Sequence, residues 1–290
     1  MKILIADAFD ASLPDRLRKF GDVTDDANQL ADANVVLIRS KTKATREYID
    51  KAPKLKLIIR GGVGLDNVDQ AYAKEKGVKV FNTPEASSVA VAELAFALML
   101  GIPSRIIEGH VSMKEGKWMK KELKRTELFG KTLGLIGIGR IGTEVAKRAA
   151  AFGMKVIAYD AFVTSSPVAQ LVPLETLLAQ ADYISLHTPL TDATRGMVNA
   201  ALLGKMKPGV ILINTGRGKV IHEPDLAAAL ASGRVRAYGT DVWESDPPPP
   251  TSPLLTAPNV FMTPHIGASS TENLLRIGDQ IVQILSREKV

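Results

Sequence analysis

LGLIGIGRIGTEVAKRAAAFGMKVIAYD, residues 133–160, decides the fold. It reads as an apolar strand, a glycine turn, an amphipathic helix, a second strand and an acidic residue. In the turn Gly137-Ile138-Gly139-Arg140-Ile141-Gly142, Gly137 permits the tight bend and Gly139 lets backbone approach a pyrophosphate at the helix N-terminus. Gly142 lets helix and strand pack closely. Asp160 follows Gly142 by 18 residues at the end of the next strand. Its carboxylate can accept from both ribose hydroxyls and repels a 2′-phosphate. The stretch therefore predicts a dinucleotide site with NAD preferred over NADP, at Gly137, Gly139, Arg140, Ile141, Gly142 and Asp160.

Outward from this unit the same alternation continues. TLGLIG, VIAY, YISLH, VILIN, RAYGTDV and NVFMT are six candidate strands separated by helical patterns, which matches a complete doubly wound nucleotide domain. The first 85 or so residues form another βα series. Its strands are KILIA, VVLIRS, LKLIIR and VKVF, with amphipathic stretches such as TREYIDKA and VDQAYAKEK between them. From Ser87 to about Glu115 runs a helical segment whose first half, SSVAVAELAFALML, is apolar nearly all round and predicts burial, with a bend at Gly101 and Pro103. The last segment, Ser269 to about Lys289, opens with the capping box Ser269-x-x-Glu272. The expected fold class is α/β, with two doubly wound parallel-sheet domains. A Rossmann NAD domain, 94–267, is inserted in a flavodoxin-like substrate domain, 1–93 with 268–290.

Composition narrows the function. Hydrophobic residues make up 46% and charged residues 23% of the 290, which suits a folded, soluble chain with a substantial core. There is no cysteine, so disulfides, thiolate catalysis and cysteine–zinc sites are excluded, and no metal site is expected. That absence fits a reducing, cytoplasmic setting. MKILIADAFD is too short an apolar run for a signal peptide, and Val89 to Ile102 is too short to span a bilayer. The net charge of +6 comes from scattered lysines with no basic arm or aromatic platform. It predicts a solvated surface that attracts anionic ligands, and neither a nucleic-acid nor a membrane partner.

Three polar residues complete the chemistry: Arg217 in NTGRG, Asp246 in DVWESDP and His265 in TPHIG, 29 and then 19 residues apart. Each follows a strand pattern, so all three fall at the carboxyl edge of one sheet, where open α/β sheets bind ligands. A guanidinium to hold a carboxylate, a histidine to move a proton and a carboxylate to tune it are what a 2-hydroxy acid needs to lose hydride to a nicotinamide.

These motifs, together with LHTPLT (186–191), INTGRG (213–218), GTDVWESDP (239–247) and TPHIGAS (263–269), resemble the D-isomer-specific 2-hydroxyacid dehydrogenases over essentially the whole chain. Within that family IRSKTKAT (38–45), IIRGGVGLDNVD (58–69), SMKEGKW (112–118) and TELFGKTLG (126–134) are most similar to the D-3-phosphoglycerate dehydrogenase branch, in a short form without the appended regulatory domain. The resemblance implies NAD as cofactor and a small-molecule 2-hydroxy acid as substrate. For that branch the substrate is phosphorylated and the pathway is serine biosynthesis. His265 matches the acid/base, and Arg217 the arginine that binds the substrate carboxylate and polarises the C2 oxygen. Asp246 matches the carboxylate paired with the histidine. Relatives usually carry glutamate at that position; Glu244 is the alternative partner here. Thr188, Pro189, Thr215 and Asp241 match cofactor-contacting positions, with Asp241 on the carboxamide. Gly61, Val63 and Gly64 match the loop whose amides take the substrate carboxylate. Arg39, Arg60 and Lys120 match basic positions suited to a phosphate. A homodimer through the NAD domain, using the helical arm from about 100 to 125, is implied as well. Two alternatives are a glyoxylate or hydroxypyruvate reductase on the same scaffold, and a non-enzymatic NAD-sensing corepressor.

Overall fold

The computed structural model describes residues 1–288, and 289 and 290 lie outside it. The chain divides into two compact units, one built from Met1–Ala90 with the segment from Ala268 onward, the other from Val91–Gly267.

The first unit holds five parallel strands, β1 (Lys2–Ile5), β2 (Asp22–Thr24), β3 (Val35–Ile38), β4 (Leu57–Arg60) and β5 (Lys79–Asn82), in the order β2-β1-β3-β4-β5. That is the flavodoxin-like order. Alternate residues serve opposite faces, as the pleat requires. Ile3, Val35, Leu37, Leu57 and Ile59 pack with Leu13, Leu17 and Ile277, Ile281 and Ile284 of the last helix, Thr271–Glu288. Leu4, Val36, Ile38 and Ile58 pack on the other side with Ala44, Ile49 and Ala73. The strand β2, three residues at the sheet edge, carries too little apolar pattern to be read from sequence. The cap of the last helix also differs from expectation. Asn273 N–H donates to Ser270 Oγ at 3.2 Å, so Ser270 and not Ser269 caps it. The Ser269 hydroxyl accepts instead from Arg39.

The second unit holds seven parallel strands, β6 (Thr132–Ile136), β7 (Lys155–Tyr159), β8 (Gln170–Leu171), β9 (Tyr183–Leu186), β10 (Val210–Asn214), β11 (Val235–Thr240) and β12 (Val260–Met262). Their order is β12-β11-β10-β9-β6-β7-β8. Six were legible; β8, two residues long, was not. The chain runs outward from β6 through β7, then returns to β9 and runs the other way, so the strand order reverses between β6 and β9. The helix Ser88–Ser104 buries Ala92, Ala95, Phe96 and Met99 against this sheet. It ends where Arg105 adopts a left-handed conformation (φ 56°), and the next helix, Ile106–Lys114, departs at 62°. The bend therefore lies at Arg105. Gly101 and Pro103 stay inside the first helix, because a left-handed residue stops helical hydrogen bonding outright while a proline removes one donor. Among the described residues no single helix is long and apolar enough to cross a membrane.

Candidate active site

Because every strand of the second unit is parallel, the loops after β6, β7, β9, β10, β11 and β12 leave one edge of the sheet. The glycine turn follows β6, beside the point of reversal. Gly137 has φ +98°, and a Cβ there would lie 2.7 Å from the His187 carbonyl oxygen, so the turn abuts the loop after β9. A Cβ on Gly142 would lie 2.4 Å from the Gly137 carbonyl oxygen. Gly139 differs, since a Cβ there meets nothing within 4 Å. The fold needs Gly137 and Gly142 for its own packing, whereas Gly139 faces space of the kind a phosphate fills. Arg140 is exposed and Ile141 half-buried at the start of the helix Arg140–Ala151.

Asp160 follows β7. Its Oδ2 accepts from Ile138 N–H at 2.9 Å, and its Oδ1 from Phe162 and Val163 N–H at 2.9 and 3.1 Å. Burial pushes this carboxyl up, but the three N–H donations outweigh it and hold it below the usual carboxylate range.

The loop after β9 carries His187, Thr188 and Pro189. His187 Nε2 bonds Ser185 Oγ at 2.9 Å, while Nδ1 is enclosed without a partner. Burial pushes the imidazole down to about 4, so the ring is neutral. Thr188 Oγ1, and Thr215 Oγ1 after β10, are buried with no hydrogen-bond partner. Unpaired buried hydroxyls are costly, and these two stand beside a turn with open space at Gly139. The residues present thus fit a bound dinucleotide. Pro189 is exposed.

The strands β10, β11 and β12 are neighbours, about 4.8 Å apart, and their loops carry Arg217, Asp246 and His265. The turn holding Arg217 is closed by Asn214, whose Nδ2 donates to the Arg217 carbonyl (3.0 Å) and whose Oδ1 accepts from Gly216 N–H (3.1 Å). Arg217 Nη1 donates to the Gly216 carbonyl at 2.8 Å. A Cβ on Gly218 would fall 1.9 Å from the backbone of Trp243, so this turn lies flat against the segment leading to Asp246. His265 Nδ1 and Asp246 Oδ2 are hydrogen-bonded; Glu244 makes no such bond. His265 holds a left-handed backbone, φ 56°. Asp241, 1% exposed, accepts from Thr263 Oγ1 (2.6 Å), Ile266 N–H (2.8 Å) and Gly267 N–H (2.8 Å), and so clamps both sides of His265. Sequence reading placed Asp241 on the carboxamide and missed this tie, along with Asn214, Gly218 and Thr263. The Asn-x-Gly turn chemistry of NTGRG was the available signal.

In the first unit Gly61, Val63 and Gly64 form the loop after β4. Gly62 N–H donates to Thr83 Oγ1 at 2.8 Å, and Asn82 Nδ2 donates to the Val63 carbonyl, fixing the loop to the end of β5. Neither Asn82 nor Thr83 was singled out from sequence. The Arg60 guanidinium lies over Gly62, where a Cβ would sit 1.7 Å from its Nη1. Arg39 follows β3, the neighbour of β4. Its Nη1 donates to the Ala8 carbonyl (3.3 Å), its Nη2 to the Ala268 carbonyl (2.9 Å) and Ser269 Oγ (3.3 Å), and its Nε is buried without a partner. Lys120 belongs to the second unit and is exposed. Among the described residues no cluster of His, Asp and Glu could hold a metal ion.

Comparison with known proteins gives the family. The model of the D-isomer-specific 2-hydroxyacid dehydrogenase NAD-binding domain matches residues 96–267. Hydroxypyruvate reductase of Thermotoga maritima is 51% identical over 263 residues, covering 89% of this chain and 86% of that protein. D-3-phosphoglycerate dehydrogenase of Methanocaldococcus jannaschii is 46% identical over 269 residues, covering 90% of this chain and 51% of that one. The chain thus spans about half the length of that dehydrogenase. The structure of D-lactate dehydrogenase from Aquifex aeolicus, complexed with NAD and lactic acid, has TM-score 0.88 at 31% identity and covers 99% and 95% of the two chains.

Proposed function

The chain belongs to the D-isomer-specific 2-hydroxyacid dehydrogenase family of NAD-dependent oxidoreductases, and we propose that it interconverts a three-carbon D-2-hydroxy acid and its 2-oxo acid, with 3-phosphoglycerate as first substrate. Bound NAD would supply the acceptor for the hydride of C2. His265 accepts the hydroxyl proton during oxidation and returns it during reduction, with Asp246 holding Nδ1 so that Nε2 is left for the substrate. Arg217 holds the carboxylate and favours negative charge on the C2 oxygen. The His265–Asp246 hydrogen bond is the observation that carries this reading.

For the substrate, Arg39 and Arg60 support a phosphate. They end neighbouring strands, Ile38 pairing with Arg60 in register, beside the glycine loop 61–64; there Gly61 and Gly62 N–H are spent on the Ile38 carbonyl and Thr83 Oγ1, which leaves the amides of Val63 and Gly64 for a carboxylate. A second reading, reduction of hydroxypyruvate, is favoured by Arg39. Three of its N–H groups are already spent on Ala8, Ala268 and Ser269. Steady-state kcat/KM for 3-phosphoglycerate against glycerate, and for hydroxypyruvate in reverse, separates the two. A corepressor without turnover shows activity on none.

We further propose a homodimer built on the arm from about 100 to 125. Ile106, Ile107, Val111, Met113 and Trp118 are 59, 55, 46, 56 and 75% exposed, an apolar face that a second copy would cover. Sedimentation of the wild type and of Ile107→Asp tests it.

A further inference from the structure

The turn after β6 is tied to the end of β7 by two hydrogen bonds. Gly137 N–H donates to the Tyr159 carbonyl at 2.8 Å, and Ile138 N–H donates to Asp160 Oδ2 at 2.9 Å. The second is charge-assisted, and such bonds are the stronger kind. It holds the one non-glycine residue of Gly137-Ile138-Gly139, between a glycine at φ +98° and a glycine that faces open space. Glycine-flanked backbone is the least self-determined in any chain, so an external strut decides the curvature of this turn. The carboxylate has about four acceptor positions. Three are taken, by Ile138, Phe162 and Val163, leaving about one for a ribose hydroxyl.

We propose that Asp160 is a positioning residue for the phosphate-binding turn, and not only a reader of the adenosine ribose. By holding the Ile138 amide it keeps Gly139 turned to the space a phosphate occupies, and it leaves the amides that open the helix Arg140–Ala151 to donate to that phosphate. Substituting Asp160 therefore weakens binding of the diphosphate itself. Removing its charge lifts the repulsion of a 2′-phosphate and at the same time loosens the turn that both cofactors share. This rests on the reading of the turn as a dinucleotide site.

The test uses ligand-free protein and binding alone. Calorimetric titration of wild type, Asp160→Asn and Asp160→Ser with ADP and with 2′,3′-dideoxy-ADP separates the two roles, since the dideoxy ligand has no ribose hydroxyl to lose. The expected result is a loss of about 10-fold or more for both ligands in both variants, the size of one charge-assisted hydrogen bond. Amide hydrogen exchange gives a readout that needs no variant: Ile138 N–H should be protected in the wild type, and its exchange should speed up at least about 10-fold in the variants while β10 stays protected. If the variants bind 2′,3′-dideoxy-ADP as the wild type does and lose only ADP, Asp160 reads the ribose and the proposal falls. It falls also if Ile138 in the wild type exchanges as fast as exposed loop amides. Failure of the wild type to bind either nucleotide would overturn the dinucleotide reading and this proposal with it.

Discussion

His265 and Asp246 are joined by a hydrogen bond between Nδ1 and Oδ2, though each stands on the loop of a different strand. Of two nearby carboxylates, Asp246 is the one that reaches the ring. The loop makes that reach possible, because His265 is held in a left-handed conformation by Asp241 on the two amides that follow it.

Replacing His265 by Gln should cut turnover about 100-fold to 10,000-fold, the range for a general acid/base. NADH affinity, measured by calorimetry, should change little. Retention of most of the turnover would remove His265 from the proton transfer.

Asp246→Asn keeps the shape and removes the charge that orients the imidazole. Loss of one charge-assisted hydrogen bond should lower kcat about 10-fold to 150-fold. Glu244→Gln should leave kcat within about 2-fold, as substitutions away from such features do. The reverse ranking in steady-state kinetics would make Glu244 the partner.

The last two glycines of the turn, Gly139 and Gly142, should separate binding from folding. A methyl on Gly142 collides with the Gly137 carbonyl at 2.4 Å, so Gly142→Ala should lower the melting temperature by several degrees, about 1–3 kcal/mol of overpacking. Gly139→Ala meets nothing, so its melting temperature should match the wild type while NAD binding falls. Equal melting temperatures for the two variants would count against the close packing described.

Arg60→Ala and Arg39→Ala test phosphate recognition. If each donates to the phosphate, kcat/KM for 3-phosphoglycerate should fall about 10-fold to 150-fold with glycerate little affected. Equal losses on both substrates would mean that the arginines shape the loop, as Arg60 over Gly62 and Arg39 on the Ala268 carbonyl already do. No loss on either favours hydroxypyruvate reduction.

His187 makes stability depend on pH. Its ring is held down to about 4 by burial, against an unfolded value near 6.5. The unfolded chain therefore binds a proton that the folded chain refuses as pH falls through about 6.5 toward 4. Stability contributed by the neutral ring is full above that window and lost within it, by about 3 kcal/mol from this residue. Chemical denaturation at pH 7.5 and 5 should show the loss in wild type and a smaller one in His187→Asn. Identical pH slopes would reject the assignment.

The sequence made the long βα alternation legible because buried parallel strands read as unbroken apolar runs, VVLI and VILIN most plainly. It left β2 and β8 illegible because an edge strand of two or three residues needs no such run. Asp160, Arg217, Asp246 and His265 were found by type and spacing, and Thr188, Thr215 and Asp241 by family resemblance. What they do to one another was not, since Asp241 and Asp160 spend their oxygens on backbone amides, and an amide carries no signature in a one-letter string. The Arg105 bend escaped for a related reason: a left-handed arginine is chosen by surrounding packing and not by its own preference.

The helix Thr271–Glu288 supplies Ile277, Ile281 and Ile284 to the core begun by Ile3, Val35 and Leu57. During synthesis, then, the first five strands leave the ribosome with one face covered only in part, by Leu13 and Leu17, and stay so while the whole seven-stranded sheet is made. Domains of a nascent chain usually mature from the N-terminus onward; here the inserted unit can finish first and its host last. For that interval the early sheet depends on chaperones or on slow emergence to avoid association, and a ribosome that stalls before residue 271 releases a nucleotide-binding unit attached to a half-built neighbour.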